Sequence, residues 1–462
     1  MADAASLDSA EPAAAPAPRP DARFAAILNG PILPTLAKLT TPVLLVIAAQ
    51  LFVSILEAYW VSRLGTEAVA GVALVLPLFV LMGTMSNGGI GGGVAAAVAR
   101  AKGAGNQAQA NALLWHAILI AVGFGLLFTI GAELAGPALY AALGGRDATL
   151  TNALDFSFWV FGGATIVWLV NLIGAALRGA GEVKLPALIN LAGAAVLVPL
   201  SPLLIFGWGP VPALGVAGAG VATLIFYAGA LAALLLWLRR GTGPVALAPR
   251  PIDGSLFAAI LRVGLVSAVG TLLASLTIVA ITGSVGQYGA QPLAGYGLAS
   301  RVDSLLVPLL FGLGTGVVTM VGAASGAGHH SRAWRVTWLA AGLGFAGSAL
   351  IGVTLMLAPG LWMDWFTSDP AVHAAGSLWF RMVGGAYGFF GLGLMLYFAA
   401  QGFGRMQGPL VAGIVRLSIT AGGAAWLAAQ AAALDRVYLA AAVGMVMFGL
   451  INAAAVWRAR PA

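Results

Sequence analysis

The sequence predicts an all-α membrane protein: twelve transmembrane helices in two pseudo-symmetric six-helix lobes, arranged as parallel repeats around a central cleft. Three observations carry that expectation. Of the 462 residues, 60% are hydrophobic and only 8% are charged, against about 25% charged in a soluble domain. Twelve apolar stretches, each of the length needed to span ~30 Å of hydrocarbon, follow one another between short polar breaks. The two halves of the chain also repeat one another. The 64 glycines suit close helix crossings in lipid, and the lack of cysteine excludes disulfides, thiolate metal sites and Cys nucleophiles.

Taken in order, residues 1–23 are rich in Ala and Pro, carry Asp3, Asp8, Glu11 and Asp21, and hold no apolar run of signal-peptide length. They read as a disordered cytoplasmic tail. Spans are expected near 36–62, 68–100, 108–133, 150–177, 184–206 and 213–238, then 255–282, 291–324, 333–358, 373–400, 408–430 and 436–457. The N-terminal lobe covers 24–238 and the C-terminal lobe 255–462. The segment 239–254, with Arg239, Arg240, Pro244, Pro249 and Pro251, is the cytoplasmic linker between them. Prolines inside spans, such as Pro42, Pro77 and Pro199, can bend helices.

Charge gives the orientation. Sixteen of the 22 Lys and Arg fall on the side of the N-terminus, three (Arg63, Arg146, Arg436) on the other side, and three (Arg301, Arg381, Arg416) inside spans. Positive charge concentrates on the cytoplasmic side of membrane proteins, so both termini are expected in the cytoplasm and the chain in the inner (plasma) membrane. The net charge of +7 is thereby explained without nucleic acid.

The repeat is specific. Gly65 to Leu74 (GTEAVAGVAL) is similar to Gly289 to Leu298 (GAQPLAGYGL) at a shift of 224, and at 223 Gly103-Ala104-Gly105 meets Gly326-Ala327-Gly328. The shift of 223 also lays Arg178 to Pro186 on Gln401 to Pro409. Six spans separate equivalent positions, an even number, so the halves lie parallel. One half rocking against the other is a route to alternating access. No Gly-Lys dipeptide exists, so the phosphate-binding loop of ATPases is absent and no ATP is expected. Gly342 to Gly347 spells G-x-G-x-x-G inside a span with no strand before it, which reads as helix packing. The histidines His116, His329, His330 and His373 form no H-x-x-x-H, and no G-x-S-x-G occurs. A membrane-embedded enzyme therefore lacks its parts. An ion gradient is the remaining energy source, with no cofactor.

These residues carry a resemblance to the multidrug and toxic compound extrusion (MATE) transporters. Leu56 to Ala68 (LEAYWVSRLGTEA) resembles that family's end of helix one, where an acid precedes a V-G-R-L-G-type turn. Ala176 to Glu182 (ALRGAGE) is similar to its L-R-G-x-G-[DE] element after helix four, and Pro202 to Gly207 with Pro212 to Ala219 resembles its helix five to six junction. The likeness covers about 36–457. It implies a cation-coupled antiporter, acting as a monomer, that exports amphipathic organic cations, drugs or toxic compounds, with protons the leading coupling ion and sodium the second. A lipid-linked oligosaccharide flippase of the wider superfamily is the alternative; it needs a basic cavity, which Arg301, Arg381 and Arg416 would have to form together.

An ionisable group inside a span is a functional-site candidate by default. Gln50, Ser54 and Glu57 recur at i, i+4 and i+7 and share a helix face, expected to line the cleft. By resemblance Glu57 takes the place of a family Asp that binds the coupling proton or cation; snorkelling, or pairing with Arg63, are its competing roles. Asn190 corresponds by resemblance to a family Asn beside that acid, but Ala194 stands where some members have a second carboxylate. Asp303 is the only carboxylate between Gly254 and Met363, either a second coupling site or an ion-pair partner of Arg381 or Arg416. The family's sodium-binding acids in helices seven and ten are replaced by Leu273-Ala274-Ser275 and Phe389-Phe390-Gly391. Asn171, Tyr59, Trp168 and Tyr227 complete the cleft candidates, the aromatics through cation-π contact with a cationic cargo.

Overall fold

The computed structural model describes residues 22–459. The tail expected at 1–23 therefore lies largely outside the described residues, and its last two positions open a helix, α1 (Ala22–Asn29). Eight residues are too few to register as a span, which is why hydropathy passes over it. Next come α2 (Ile32–Ser62), α3 (Thr66–Gly103), α4 (Gln107–Ala142), α5 (Asp147–Gly162), α6 (Ala164–Gly179), α7 (Lys184–Phe206) and α8 (Val216–Arg239). The second half comprises α9 (Gly254–Gly286), α10 (Ala290–Gly326), α11 (His330–Leu357), α12 (Pro370–Phe403), α13 (Gln407–Ala429) and α14 (Leu434–Arg458). Eleven of these cross a membrane by length and hydropathy, and α5 with α6, bent by 46°, makes the twelfth. Among the described residues there is no strand, only one isolated bridge between Trp208 and Val211.

The helices end where their residues require. Asn106, Asp253 and Asp369 cap α4, α9 and α12 by accepting from Gln109, Ser255 and Ala371 backbone N–H groups at 2.8 to 2.9 Å. The bonds from Ser255 hold the exposed Asp253 carboxyl below the ordinary carboxylate range. Turns use glycines in the left-handed region, and they recur at the repeat shift: Gly65 and Gly289 at φ 111° and 106°, Gly105 and Gly328 both at 73°, Gly181 and Gly404 at 84° and 75°. A side chain is disfavoured at each, so the matched glycines in the sequence mark matched turns.

Large apolar side chains face outward. Leu45, Phe52 and Ile55 on α2 are exposed, and Trp208, Trp365 and Trp426 ring the face opposite the N-terminus. This is the pattern of a lipid-facing surface with an interfacial aromatic belt. Between the lobes, residues 240–253 run along α4. Gln107 donates to Pro244 O at 2.8 Å, Asn111 accepts from Ala246 N at 2.9 Å, and His116 Nε2 accepts from Asp253 N at 2.9 Å.

Candidate functional site

The lobes meet along a seam of small residues that has its own approximate twofold. Leu36, Thr40 and Leu44 of α2 pack on Gly316 and Gly312 of α10, while Ile260, Gly264 and Ala268 of α9 pack on Gly93 and Gly89 of α3. A shift of 223 or 224 converts each set into the other. Nearer the N-terminal face, Gly103 lies on the backbone of Ala323 and Gly326 on the backbone of Arg100, again exchanged by the repeat. Helices in lipid approach this closely where side chains are absent. Hydrogen bonds cross the seam as well. Arg100 Nη1 donates to Gly402 O at 3.0 Å, Thr319 Oγ1 to Arg178 O at 3.1 Å, and Gln401 Nε2 to Gly88 O at 3.2 Å.

Towards the opposite face the same stripes lose their partners. After Ile47 the α2 stripe continues through Leu51, Ser54 and Ala58, all exposed, and on α9 it continues through Ser275 and Ile278, also exposed. The lobes therefore part above the seam, and the cleft opens away from the N-terminus. A small pocket at its floor is lined by Asn87, Gly88, Arg178, Thr315, Phe398 and Gln401, with Arg178 donating to Asn87 Oδ1 at 2.7 Å.

Glu57 does not share that exposure. It sits close in rotation to Val53, which is buried against Ala194, Leu197 and Ala222. The carboxylate consequently turns behind the cleft wall into the interior of the first lobe. Its Oε1 is buried without a hydrogen-bond partner, and Tyr227 lies within electrostatic reach. Pairing with Arg63 does not occur: that guanidinium bonds Tyr59 OH at 2.7 Å and lies 5.2 Å from the Tyr59 ring centroid. Gln50 and Ser54 are exposed beside the cleft. Tyr59, two residues beyond Glu57, is exposed on nearly the opposite side of α2, with Phe52 and Ile55.

Three expectations are corrected, the first being Tyr59, which faces away from the cleft on the outer side of α2. Asn190 donates to Pro186 O of its own helix at 2.8 Å. Because Val53 packs level with Ala194 and Leu197, Glu57 stands roughly 15 Å further along the bundle at 1.5 Å per residue, out of reach of Asn190. Trp168 is fully buried, stacked on Phe124 at 5.0 Å in the core of the first lobe, so it forms no part of a cleft wall. Asn171 donates to Ser86 Oγ at 2.8 Å and ties α6 to α3.

In the second lobe Asp303 lies in the first turn after α10 is interrupted at Ser300. It faces Tyr387, with Arg416 within electrostatic reach. Among the described residues no ion pair joins Asp303 to an arginine; the Arg416 guanidinium instead lies 4.8 Å from the centroid of Phe390 and 5.6 Å from that of Phe448. Trp379 donates to Tyr387 OH at 3.3 Å and packs edge-on against Tyr296 and Tyr438. Sequence reasoning missed this aromatic shell, since its members come from three helices far apart in the chain, α10, α12 and α14. It also missed the seam polar groups, although the repeat had already superposed Arg178 on Gln401. Arg301 and Arg381 are exposed while Arg416 is half-buried with its Nε enclosed in the lobe, so the three in-span arginines build no common basic wall. No group of three or more His, Asp or Glu placed to hold a metal occurs among the described residues.

Two parallel lobes, a cleft open to one face, a glycine-lined seam closing the other and a carboxylate turned into each lobe are the architecture of a membrane transporter. Comparison with known proteins agrees. The MatE family model matches residues 42–203 and 267–426, one match in each lobe. The chain belongs to this family, the multidrug and toxic compound extrusion transporters, and is thus a transporter and not an enzyme. It is similar to the FAD transporter of Shewanella oneidensis, 26% identical over 85% of this chain and 87% of that one. With a probable multidrug resistance protein NorM of Burkholderia mallei it shares 30% identity over 72% of each chain. Its fold is similar to that of an outward-facing multidrug resistance transporter of the MATE family, at a TM-score of 0.85 and 22% identity, over 95% of this chain and 98% of that one.

Proposed function

We propose that this transporter is a proton-coupled antiporter that exports amphipathic organic compounds, organic cations foremost, by alternating access, with the N-terminal face in the cytoplasm and the cleft here open outward. The observation that carries the reading is the position of Glu57: a carboxylate turned in behind the cleft wall, one residue's rotation from the exposed stripe, with a buried oxygen that no protein group bonds. A proton satisfies such an oxygen at low cost, whereas a bare charge in that setting is expensive. Loading and unloading that proton changes what the wall between α2, α7 and α8 can tolerate, which is how a proton can bias the lobes. The relatives named as multidrug resistance proteins support the class of cargo.

Gln50 and Ser54 offer uncharged hydrogen-bonding groups to the cargo, and Tyr227 is placed to sense Glu57. Asp303 serves as a second coupling site in the other lobe. Sodium is the less favoured ion because the acids that bind it elsewhere in the family are missing at Leu273 to Ser275 and Phe389 to Gly391. The unit is a single chain in the plasma membrane. The test is uptake of a fluorescent organic cation into inverted vesicles under an imposed pH gradient. Glu57→Gln is expected to remove gradient-driven uptake; a native rate in that variant sinks the coupling role.

A further inference from the structure

We infer that α1 is a strap across the closed face, latched by Arg332, which must come off before the cleft can open on that side. The helix is amphipathic: Phe24, Ile27 and Leu28, at i, i+3 and i+4, are buried, while Ala26 and Asn29 are exposed. Its apolar face rests on the first lobe, and the helix also runs against α10 of the second. Ile27 and Phe24 lie against Gly181 in the turn between α6 and α7, where φ is 84°, and Lys102 Nζ of α3 stands 5.5 Å from the centre of the Phe24 ring.

The other end of the strap is held by the second lobe. Near the start of α11, Arg332 donates from Nε to Ile27 O at 3.1 Å, and from Nη2 to Ile27 O at 2.9 Å and Gly30 O at 2.6 Å. The last carbonyls of a helix lack intrahelical partners, and a cation there also meets the negative end of the helix dipole. One short element thus grips both lobes over the seam, joined to α2 by only Gly30 and Pro31. Separating the lobes at this face must break either the Arg332 bonds and the packing on α10 or the seat on Gly181. Arg332 is only half-buried, so water can replace its acceptors and the latch is releasable.

The inference rests on the alternating-access reading above, and the experiment separates the two. Since the chain has no cysteine, an Ala95→Cys reporter in the seam is the only thiol; Ala95 is buried beside Gly179 and lines the cleft floor. A membrane-impermeant maleimide is applied to the N-terminal face in inverted vesicles, with Ser284→Cys, buried in the far half of α9, as a separate control. Arg332→Ala and Phe24→Ala are each expected to speed labelling of the seam reporter roughly tenfold, within the usual range of a conformational coupling. Arg332→Lys should be intermediate, and the Ser284→Cys control should not change. An unchanged seam rate in both variants, or an equal rise at both reporters, overturns the strap. If the seam reporter in the otherwise native chain stays unlabelled while fluorescent cargo is transported, alternating access itself fails.

Discussion

The two lobes share a backbone plan but not a chemistry. Their turn glycines coincide at the repeat shift, as do the pairs that build the seam. Their acids do not. The shift of 224 carries Glu57 onto Ile281, which is buried, and the position 223 before Asp303 is Val80, exposed on α3. In the first lobe the carboxylate stands among aliphatic residues with one tyrosine nearby; in the second it is surrounded by tyrosines, a tryptophan and Arg416. The repeat therefore shares what fixes the geometry of closure, while each lobe has a polar centre of its own. An acid with no cation at hand is free to exchange a proton. One with a guanidinium nearby is partly neutralised already.

That contrast can be broken most directly at the acids. Glu57→Gln should lower gradient-driven export by roughly tenfold or more, the scale of a lost coupling interaction, and Asp303→Asn by much less, with vesicle transport as the measurement. Equal losses would remove the division between lobes. Next in size, Arg416→Met should destabilise the second lobe by about 2 kcal/mol, as when a desolvated cation-π contact, here with Phe390 and Phe448, is lost, read as an early thermal transition that Asp303→Asn in the same chain partly restores. An unshifted transition would mean that neither the rings nor Asp303 draws stability from the guanidinium.

The seam predicts likeness instead of contrast. Gly103→Val and Gly326→Val each push a side chain into the backbone of the opposite lobe, and each should cost about 1–3 kcal/mol, as overpacking does. Agreement between the two within ~0.5 kcal/mol supports the twofold; a large difference sharpens the comparison against it. The smallest effect is expected at the α9 cap. The Asp253 carboxyl is held below its ordinary range by Ser255, so its stabilising effect is present above the unfolded pKa and is lost as pH falls through the lower folded value. Asp253→Asn should lower stability slightly near neutrality and converge on the native value in acid, so that the acid limb of a stability profile flattens.

Much of the architecture was legible because lipid imposes it: spans, repeat and turn glycines are recorded in hydropathy and spacing. Rotation about each helix axis was less so. Trp168 and Tyr59 are both aromatic residues in apolar runs, yet one is in the core and the other on the outer surface, a difference decided by neighbours hundreds of atoms away along the chain. The polar stripe of Gln50, Ser54 and Glu57 was correctly one face, but the boundary between cleft and lobe interior falls inside it. Asn190 was matched to Glu57 by family likeness, and only the packing level of Val53 shows the roughly 15 Å between them. The α1 strap left no hydropathy signal, since its partners are a turn and a single arginine.

The π-helical turn at Met85–Gly89 in α3 has a mechanical consequence. On one side of it, Gly71 packs on Asn152 and Ala153 of the same lobe; on the other, Gly93 and Gly103 pack on α9 and α10 of the opposite one. A widened turn adds a residue without breaking the helix, so the chain changes allegiance there while staying continuous. Rocking of the lobes as proposed above would accordingly be felt inside α3 as torsion about this turn, with its extra residue supplying the slack.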